Sequence, residues 1–280
     1  MSINCIAIEH KIELLFRATL TDFRLAPSGF QGIESGNVDR WFPWLRSLQQ
    51  MTKDLLLAFD VGTSSVRAAL VSQTGKILGF AAEELEQSIP QFGWSQQSPR
   101  AWWGGLVVSV RRILGKVADG ADRVAAIAGC GQMHGVVLID DIGELVLEES
   151  PIWNDKRTRE LVAQFCAEQD TKALLPIVAN PPTVAWPAFK LAWIKQNLPK
   201  TYDAARTVLM PKDYINFKLT GERRFDVTEA SSSYLFDIRT GDWSEKVLKM
   251  LGLDPAKLPL IGQATEVLGV VTKEAAESSG

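Results

Sequence analysis

Two short apolar runs joined by a polar loop most limit what this chain can fold into. Residues 55–59 and 66–71 have the length and composition of β-strands, and residues 60–65 (DVGTSS) join them. The glycine of this loop therefore connects a strand to a strand. In a Rossmann dinucleotide site the glycines must open a helix, so that site is excluded. The GxxxxGKS or GxxxxGKT string of a P-loop does not occur either.

The segments that follow predict an α/β fold with a mixed sheet flanked by helices. Residues 77–82 continue the first two strands as a third, and Ser98 is placed to cap an amphipathic helix over residues 99–120. Residues 124–128 have the pattern of a buried strand, and residues 136–140 that of another. Further helices are predicted near residues 156–168, 185–197, 210–220 and 244–251.

Composition excludes several classes of function. The chain is 46% hydrophobic and 22% charged with a net charge of −3, so it has no basic surface for nucleic acid. Its apolar runs all fall short of the roughly 18 residues that a membrane helix needs. Cys5, Cys130 and Cys166 form no CxxC pair, which is typical of a reducing compartment. We therefore expect a cytoplasmic protein with neither a nucleic-acid nor a membrane partner.

Residues 1–50 differ from the rest and predict an N-terminal extension ahead of a domain over residues 51–280. The extension has five acidic and five basic residues. It lacks the basic start, apolar centre and small-residue cleavage site of a secretory signal. Met51 stands directly before the first strand, where a natural first residue would stand. The alternative is that residues 1–50 form a small subdomain of their own.

The first of four polar clusters is the loop at residues 60–65. Asp60 follows a strand, and Gly62 allows backbone N–H groups to approach a ligand closely. Thr63 and Ser64 add two hydroxyl groups. This combination suits a phosphate group and its Mg²⁺. The alternative is an ordinary hairpin turn.

The second cluster is the loop at residues 131–135 (GQMHG), between two predicted strands. Met133 and His134 at a strand end can contact a small polar ligand. The alternative is that His134 is a structural residue whose hydrogen bonds are satisfied within the domain.

The third cluster, residues 151–157 (PIWNDKR), attaches polar side chains to one aromatic ring. Trp153 can lie over the C–H face of a sugar while Asn154 and Asp155 bind its hydroxyl groups. The alternative is a helix start in which Asn154 or Asp155 is the cap.

The fourth cluster is residues 225–233 (FDVTEASSS). Asp226, just before a stretch of small residues, can act as a general base toward a substrate hydroxyl. The alternative is a loop with an Asx-turn. We interpret the neighbouring segment, residues 211–221 (PKDYINFKLTG), as the start and end of a helix with a structural role.

Taken in order, these segments resemble the FGGY family of carbohydrate kinases, and the forms Gln-Met-His-Gly and Trp-Asn-Asp are those of its xylulokinase branch. The resemblance covers about residues 53–280 and leaves out residues 1–50. The segments that carry it are residues 60–65, 131–135, 151–158, 189–193, 211–221 and 225–233.

The resemblance implies the fold and the ligands. Family members have two actin-like (ribonuclease H-like) ATPase domains with a cleft between them, and this chain would contain only the first, sugar-binding one. The nucleotide-binding second domain would be missing. The implied cofactors are ATP and Mg²⁺, the implied partner is a small sugar, and the expected assembly is a homodimer.

The resemblance also assigns roles to single residues. It implies that Asp226 is the catalytic base and that Asp60 holds Mg²⁺. The residues implied to bind the nucleotide phosphates are Asp60, Gly62, Thr63 and Ser64. Those implied to bind the sugar are Met133, His134, Trp153 and Asp155.

The implied reaction is ATP-dependent phosphorylation of a pentulose, with D-xylulose to D-xylulose 5-phosphate as the leading choice. Phe225, Glu229 and Ser232-Ser233 depart from the family pattern, which usually has Thr, Asn, and Gly or Arg followed by Thr at these places. These departures leave L-xylulose, ribulose, a hexulose or a tetritol open as substrates. Two other classes also stay open: a non-catalytic sugar-binding module, and a nucleotide-driven partner binder similar to actin or Hsp70.

Overall fold

A computed structural model describes residues 53–280, so the predicted extension at residues 1–50 lies outside the described residues. The strands are β1 (Leu55–Val61), β2 (Ser65–Ser72), β3 (Ile77–Glu84), β4 (Gln96–Gln97), β5 (Val124–Gly131), β6 (Val137–Ile139), β7 (Ser150–Pro151), β8 (Thr207–Leu209), β9 (Arg224–Asp226), β10 (Phe236–Asp237), β11 (Asp242–Trp243) and β12 (Leu260–Gly262). The α-helices are α1 (Pro99–Leu114), α2 (Gly120–Arg123), α3 (Arg159–Glu168), α4 (Leu175–Val178), α5 (Pro187–Asn197), α6 (Pro199–Ala204), α7 (Pro211–Thr220), α8 (Val227–Ser231), α9 (Glu245–Leu251) and α10 (Lys273–Ser279).

The central sheet has the strand order β3-β2-β1-β5. β1, β2 and β3 form an antiparallel meander, and β5 adds in parallel to the other side of β1. Every second residue of β1 is buried, from Leu55 to Val61, as expected for a strand with one face on the core. The predicted strand–loop–strand start and the mixed sheet are both confirmed.

β5 departs from the prediction in length and in burial. It runs on to Gly131, three residues beyond the predicted end, and pairs Gly131 with Val61. Ala125 and Ala126 are exposed, because β5 lies at the edge of the sheet. A run of small apolar residues has the same sequence pattern whether or not another element covers it, so the pattern could not distinguish a buried strand from an edge strand.

Helix α1 packs one face against the meander. Trp102, Leu106, Val110 and Ile113 are buried at three- and four-residue spacing, the pattern of a helix with one face on the core. The helix begins at Pro99, as predicted, but ends at Leu114 and not near Gly120. It is also too short to cross a membrane, and the same holds for every other described helix.

A second layer of helices completes the domain. The four later helices that the sequence predicted are α3, α5, α7 and α9. Phe165, Phe189 and Tyr234 meet in an aromatic cluster at the centre of a second core. The predicted strand at residues 136–140 is confirmed as β6. Its partner β8 and the pair β9–β12 also have only three residues per strand, too short to show a period-2 pattern, and the sequence did not reveal them.

The tightest contact in the sheet gives a test of the packing. A Cβ atom added at Gly129 would lie 2.0 Å from the Phe59 ring. We expect Gly129→Ala to lower the free energy of unfolding by about 1–3 kcal/mol, the usual effect of overpacking. Urea denaturation measures the change.

Gly104→Ala is the matched control. Gly104 is exposed within α1, and a Cβ there would meet nothing within 4 Å. This substitution should raise the free energy of unfolding by about 0.5–1 kcal/mol, since Gly weakens a helix interior. Equal stabilities for the two variants would contradict the packing described for β1 and β5.

Candidate functional site

The site is built at the ends of β1 and β5, starting with the hairpin of residues 60–65. Asp60 pairs with Cys130 across the two strands, and its carboxylate lies 3.8 Å from the Arg67 guanidinium. The Gly62 N–H donates to the Ser65 carbonyl at 3.0 Å. A Cβ at Gly62 would be only 3.0 Å from that same oxygen. The hairpin is therefore tight at this point, and a side chain at Gly62 would have to displace the Ser65 carbonyl slightly.

Gln132 connects this hairpin to the second predicted cluster. The Thr63 hydroxyl lies 3.4 Å from Gln132 Oε1, and Gln132 Nε2 lies 3.4 Å from the Gly62 carbonyl. The Gln132 backbone N–H donates to the Val61 carbonyl at 2.7 Å. One amide side chain thus holds two loops that are 69 residues apart in sequence.

The buried amide of Gln97 supports that of Gln132. Gln132 Nε2 donates to Gln97 Oε1 at 2.8 Å, and the buried Trp102 indole donates to the same oxygen at 3.1 Å. Gln97 Nε2 donates in turn to the Thr63 carbonyl at 2.7 Å. Because a buried amide is costly unless its hydrogen bonds are made, this network favours a single shape of the hairpin.

His134 lies in the GQMHG loop with φ of 65°, in the left-handed region. Its Nδ1 is 2.8 Å from the Ser232 carbonyl oxygen. A carbonyl oxygen only accepts hydrogen bonds, so Nδ1 carries the proton and Nε2 of the neutral ring is an acceptor. Burial lowers the pKa of His134 to about 4, which keeps the ring neutral near pH 7.

Lys190 holds the backbone of the same loop. This lysine is fully buried in α5, and its ammonium group donates to the His134 carbonyl at 3.0 Å and to the Ala185 carbonyl. Burial lowers the pKa of Lys190 to about 7. The Trp186 ring packs edge-on to the His134 ring, with centroids 4.7 Å apart. The left-handed histidine is therefore fixed by contacts on its ring and on its carbonyl.

The two glycines of the GQMHG loop lie against the start of α7. A Cβ at Gly131 would be 3.2 Å from Lys212 Cβ, and a Cβ at Gly135 would be 2.6 Å from Pro211 Cγ. The first turn of α7 thus enters the site. The sequence interpretation gave residues 211–221 a structural role, and a helix pattern alone could not show that the first turn of this helix packs against the GQMHG loop.

Asp226 is the N-cap of α8, and both of its oxygens are engaged. Oδ1 accepts hydrogen bonds from the backbone N–H groups of Thr228 and Glu229 at 2.9 and 3.0 Å. Oδ2 accepts from Lys212 Nζ at 2.9 Å. Burial raises the pKa of Asp226, but Lys212 and the cap hydrogen bonds outweigh burial, so this pKa lies below its usual value. The segment is a short capped helix, in which the Asx-turn of the alternative interpretation is present as the cap hydrogen bond from Thr228 to Asp226.

Trp153 and Met133 expose apolar surface in two of the predicted clusters. Trp153 is 46% exposed, and its indole N–H donates to the Thr63 hydroxyl at 3.0 Å. Met133 is 54% exposed and directly precedes His134. Large apolar side chains left this open beside polar groups are typical of a ligand surface.

Asp155 lies apart from this open surface. It is fully buried, and it accepts hydrogen bonds from the Ser95 backbone N–H at 2.7 Å and from the Arg157 guanidinium at 2.8 and 2.9 Å. Arg157 in turn stacks 3.8 Å from the Trp94 ring centroid and 5.2 Å from that of Trp193. Asp155 therefore braces the loop that carries Trp153. It does not cap α3, whose N-cap is Thr158.

The structure brings Asp60, Gly62, Thr63 and Trp153 together at the hairpin. Ser64 is an exposed residue of the same hairpin. His134 and Asp226 meet through the two ends of α8. The supporting residues that the sequence interpretation missed are Gln97, Gln132, Lys190, Lys212 and Asp213. Lys190, flanked by apolar residues in AFKLAW, was the one detectable signal, since a buried lysine needs specific partners.

A pH titration tests the environment of His134. The chain has two histidines, so His10→Gln leaves His134 as the only imidazole signal in a nitrogen–proton correlation spectrum. We expect a neutral ring with its proton on Nδ1 and a midpoint near pH 4. A midpoint near pH 6.5 would contradict the burial and the Ser232 hydrogen bond.

The lowered pKa of His134 also predicts how the stability of the protein changes with pH. Since the pKa of His134 is lower in the folded protein, the unfolded chain takes up the proton first as pH falls. The contribution of His134 to stability is complete above about pH 6.5 and is lost as pH falls toward 4. His134→Gln should lose less stability than the parent over that range, measured by urea denaturation at matched pH.

Comparison with known proteins places this arrangement in a family. The sequence profile "FGGY family of carbohydrate kinases, N-terminal domain" matches residues 55–280. A xylulose kinase of Escherichia coli (strain K12) is 30% identical over 232 residues, which cover 81% of this chain and 46% of that protein. A xylulose kinase of Lactococcus lactis is 29% identical over 79% of this chain and 44% of its own length.

Solved structures agree in fold. The crystal structure of a xylulose kinase from Rhodospirillum rubrum matches with a TM-score of 0.76 at 31% identity, over 80% of this chain and 46% of that one. A gluconate kinase from Lactobacillus acidophilus matches with a TM-score of 0.75 at 24% identity, which supports the fold alone. The chain spans less than half the length of the curated relatives named here. It belongs to the FGGY family of carbohydrate kinases, and its described residues form the N-terminal, actin-like (ribonuclease H-like) domain of that family.

Proposed function

We propose that the protein containing this chain phosphorylates a pentulose with ATP, and that its reaction is D-xylulose to D-xylulose 5-phosphate. The observation that carries this proposal is the state of Asp226. Oδ1 is filled by the cap of α8, whereas Oδ2 has one protein donor, Lys212. The side chain is also partly open, with 18% exposed. A lone pair on Oδ2 is thus left for a substrate hydroxyl. The names of the relatives support xylulose as that substrate.

Asp226 is proposed to take the proton from the sugar hydroxyl that attacks the γ-phosphorus. Phosphoryl transfer passes through a loose transition state in which the enzyme mainly positions groups and balances charge. The proton then leaves the attacking oxygen late. A carboxylate with a pKa below its usual value is ionised near neutral pH and can orient the hydroxyl before it accepts the proton.

The proposed sugar contacts come from the second and third clusters. His134 Nε2 accepts a hydrogen bond from a sugar hydroxyl, and the exposed faces of Met133 and Trp153 cover its C–H groups. Asp155 supports the sugar site from within by holding Arg157 and the loop that carries Trp153.

The hairpin fits a nucleotide phosphate with its Mg²⁺. Gly62 has no side chain between its backbone and a ligand, and Thr63 and Ser64 supply hydroxyl groups beside it. Among residues 53–280, no three His, Cys, Asp or Glu side chains converge as a metal site. Mg²⁺ commonly takes one or two carboxylates, phosphate oxygens and water, so Asp60 alone suits it. When bound, the ion neutralises charge on the transferred phosphoryl group.

Asp226→Asn tests the proposed base. Asn caps a helix about as well as Asp, so α8 should persist while the proton acceptor is lost. We expect phosphorylation of D-xylulose by the full-length protein to fall by a factor of about 100 or more, with sugar affinity within about threefold of the parent. Coupled measurement of ADP release gives the rate, and calorimetry gives the affinity.

Asp122→Asn is the control, because Asp122 is exposed in α2, beside the Leu55 end of the sheet and opposite the end that carries the site. Its rate should equal that of the parent. An Asp226→Asn rate within tenfold of the parent would remove Asp226 from the base role. Sugar binding without phosphorylation by the parent protein would favour the binding-module alternative.

A second experiment addresses the substrate. Thermal shifts of the protein are recorded with D-xylulose, L-xylulose, ribulose, gluconate and glycerol, before and after His134→Ala. We expect D-xylulose to give the largest shift, and the variant to bind it about 3–10-fold more weakly, the effect of one lost hydrogen bond. A larger shift with another compound would reassign the substrate, and an unchanged affinity would remove His134 from the sugar site.

A further inference from the structure

The strongest unexplained feature beside the site is a buried group of charges centred on Lys212. Its ammonium lies 2.6 Å from Asp213 Oδ1 and 2.9 Å from Asp226 Oδ2. The lysine and Asp213 side chains are 8% and 1% exposed. Glu229 is also buried and acts electrostatically on Lys212. One buried cation is thus shared by carboxylates from the first turn of α7 and from α8.

The geometry points to Lys212 as the positioning residue that sets the Asp226 carboxylate for proton transfer, with Asp213 holding Lys212 in place. This assignment rests on the proposed role of Asp226. The backbone of Lys212 is fixed by the close approach of Gly131, and its ammonium reaches the one Asp226 oxygen that the α8 cap leaves open. Lys212 therefore determines where the remaining lone pair of Oδ2 points.

Asp213 is suited to hold the lysine and not to react. It is the third residue of α7 and fully enclosed, and its Oδ2 has no hydrogen-bond partner among the described residues. Burial raises the pKa of Asp213 to about 6, against the opposing effect of Lys212. A carboxylate tolerates this position only because the ammonium lies beside it. Asp213 and Lys212 are accordingly expected to act as one unit.

The test must separate positioning from simple loss of folding. Lys212→Met alone would leave two buried carboxylates without their cation. The main variant is therefore the double change Lys212→Met with Asp213→Asn, which removes one charge of each sign and keeps the side-chain volumes similar. Lys218→Met is the matched control, since Lys218 lies near the far end of the same helix.

The readouts are sugar affinity, turnover of the full-length protein at pH 8, and the pH dependence of kcat/KM. We expect the double variant to keep sugar affinity within about threefold and to lose turnover by about 100-fold, the effect of a misplaced reacting group. At pH 8 Asp226 is ionised either way, so this loss reports position. The charged groups that face Asp226 are Lys212 and Asp213 from α7 and Glu229 from α8. Because Lys212 lowers the pKa of Asp226, its removal should move the acid limb to higher pH.

Lys212→Arg keeps the cation but changes its length and shape. It should leave the acid limb in place and lower turnover about tenfold. If the double variant does not melt cooperatively, Lys212→Arg decides the question by itself. Parent-level turnover in Lys212→Arg would overturn the positioning role, as would a double variant with turnover within threefold and an unmoved acid limb. Loss of sugar binding together with turnover would also overturn it, because that pattern indicates a structural role.

Asp226→Asn separates this inference from the proposed function. If Asp226→Asn loses turnover while the Lys212 variants keep it, the base assignment stands and the positioning role fails. If Asp226→Asn keeps turnover, the base assignment itself fails.

Discussion

The close approach of the first turn of α7 to the end of β5 is the constraint on which the site depends. Gly131 and Gly135 leave no room for a side chain against Lys212 and Pro211. This contact brings a buried lysine up to Asp226, and α8 then carries the chain from Asp226 to the carbonyl that binds His134. Three segments far apart in sequence are thereby held together by close packing and hydrogen bonds.

The sequence predicted most of the large elements. The meander, α1 and the four main later helices follow from hydrophobic spacing and from residues such as Ser98 and Pro99. It predicted β6 but not β8, β9 or β12, because strands of three residues are too short to show a reliable pattern. It also could not show that β5 is an edge strand, since Ala125 and Ala126 read as apolar whether covered or exposed.

The sequence interpretation named the main residues of the candidate site but missed the residues that support them. Asp60, His134 and Asp226 stood out as polar residues in distinctive surroundings. Gln97, Gln132 and Lys212 did not, because an amide or a lysine gains meaning only from partners that are distant in sequence. For Asp155 the opposite happened. Its motif suggested a ligand contact, but in the fold its carboxylate accepts hydrogen bonds from Arg157.

The exposed edge of β5 has a consequence for how the chain behaves in concentrated solution. Within residues 53–280 this strand pairs with β1 on one side only, and its eight residues contain neither a charge nor a proline. Charged residues and prolines on an edge strand are what soluble proteins use to keep such edges from associating with each other. Intermolecular β-pairing, and with it aggregation at high concentration, therefore depends on whether this row of backbone donors and acceptors finds a partner.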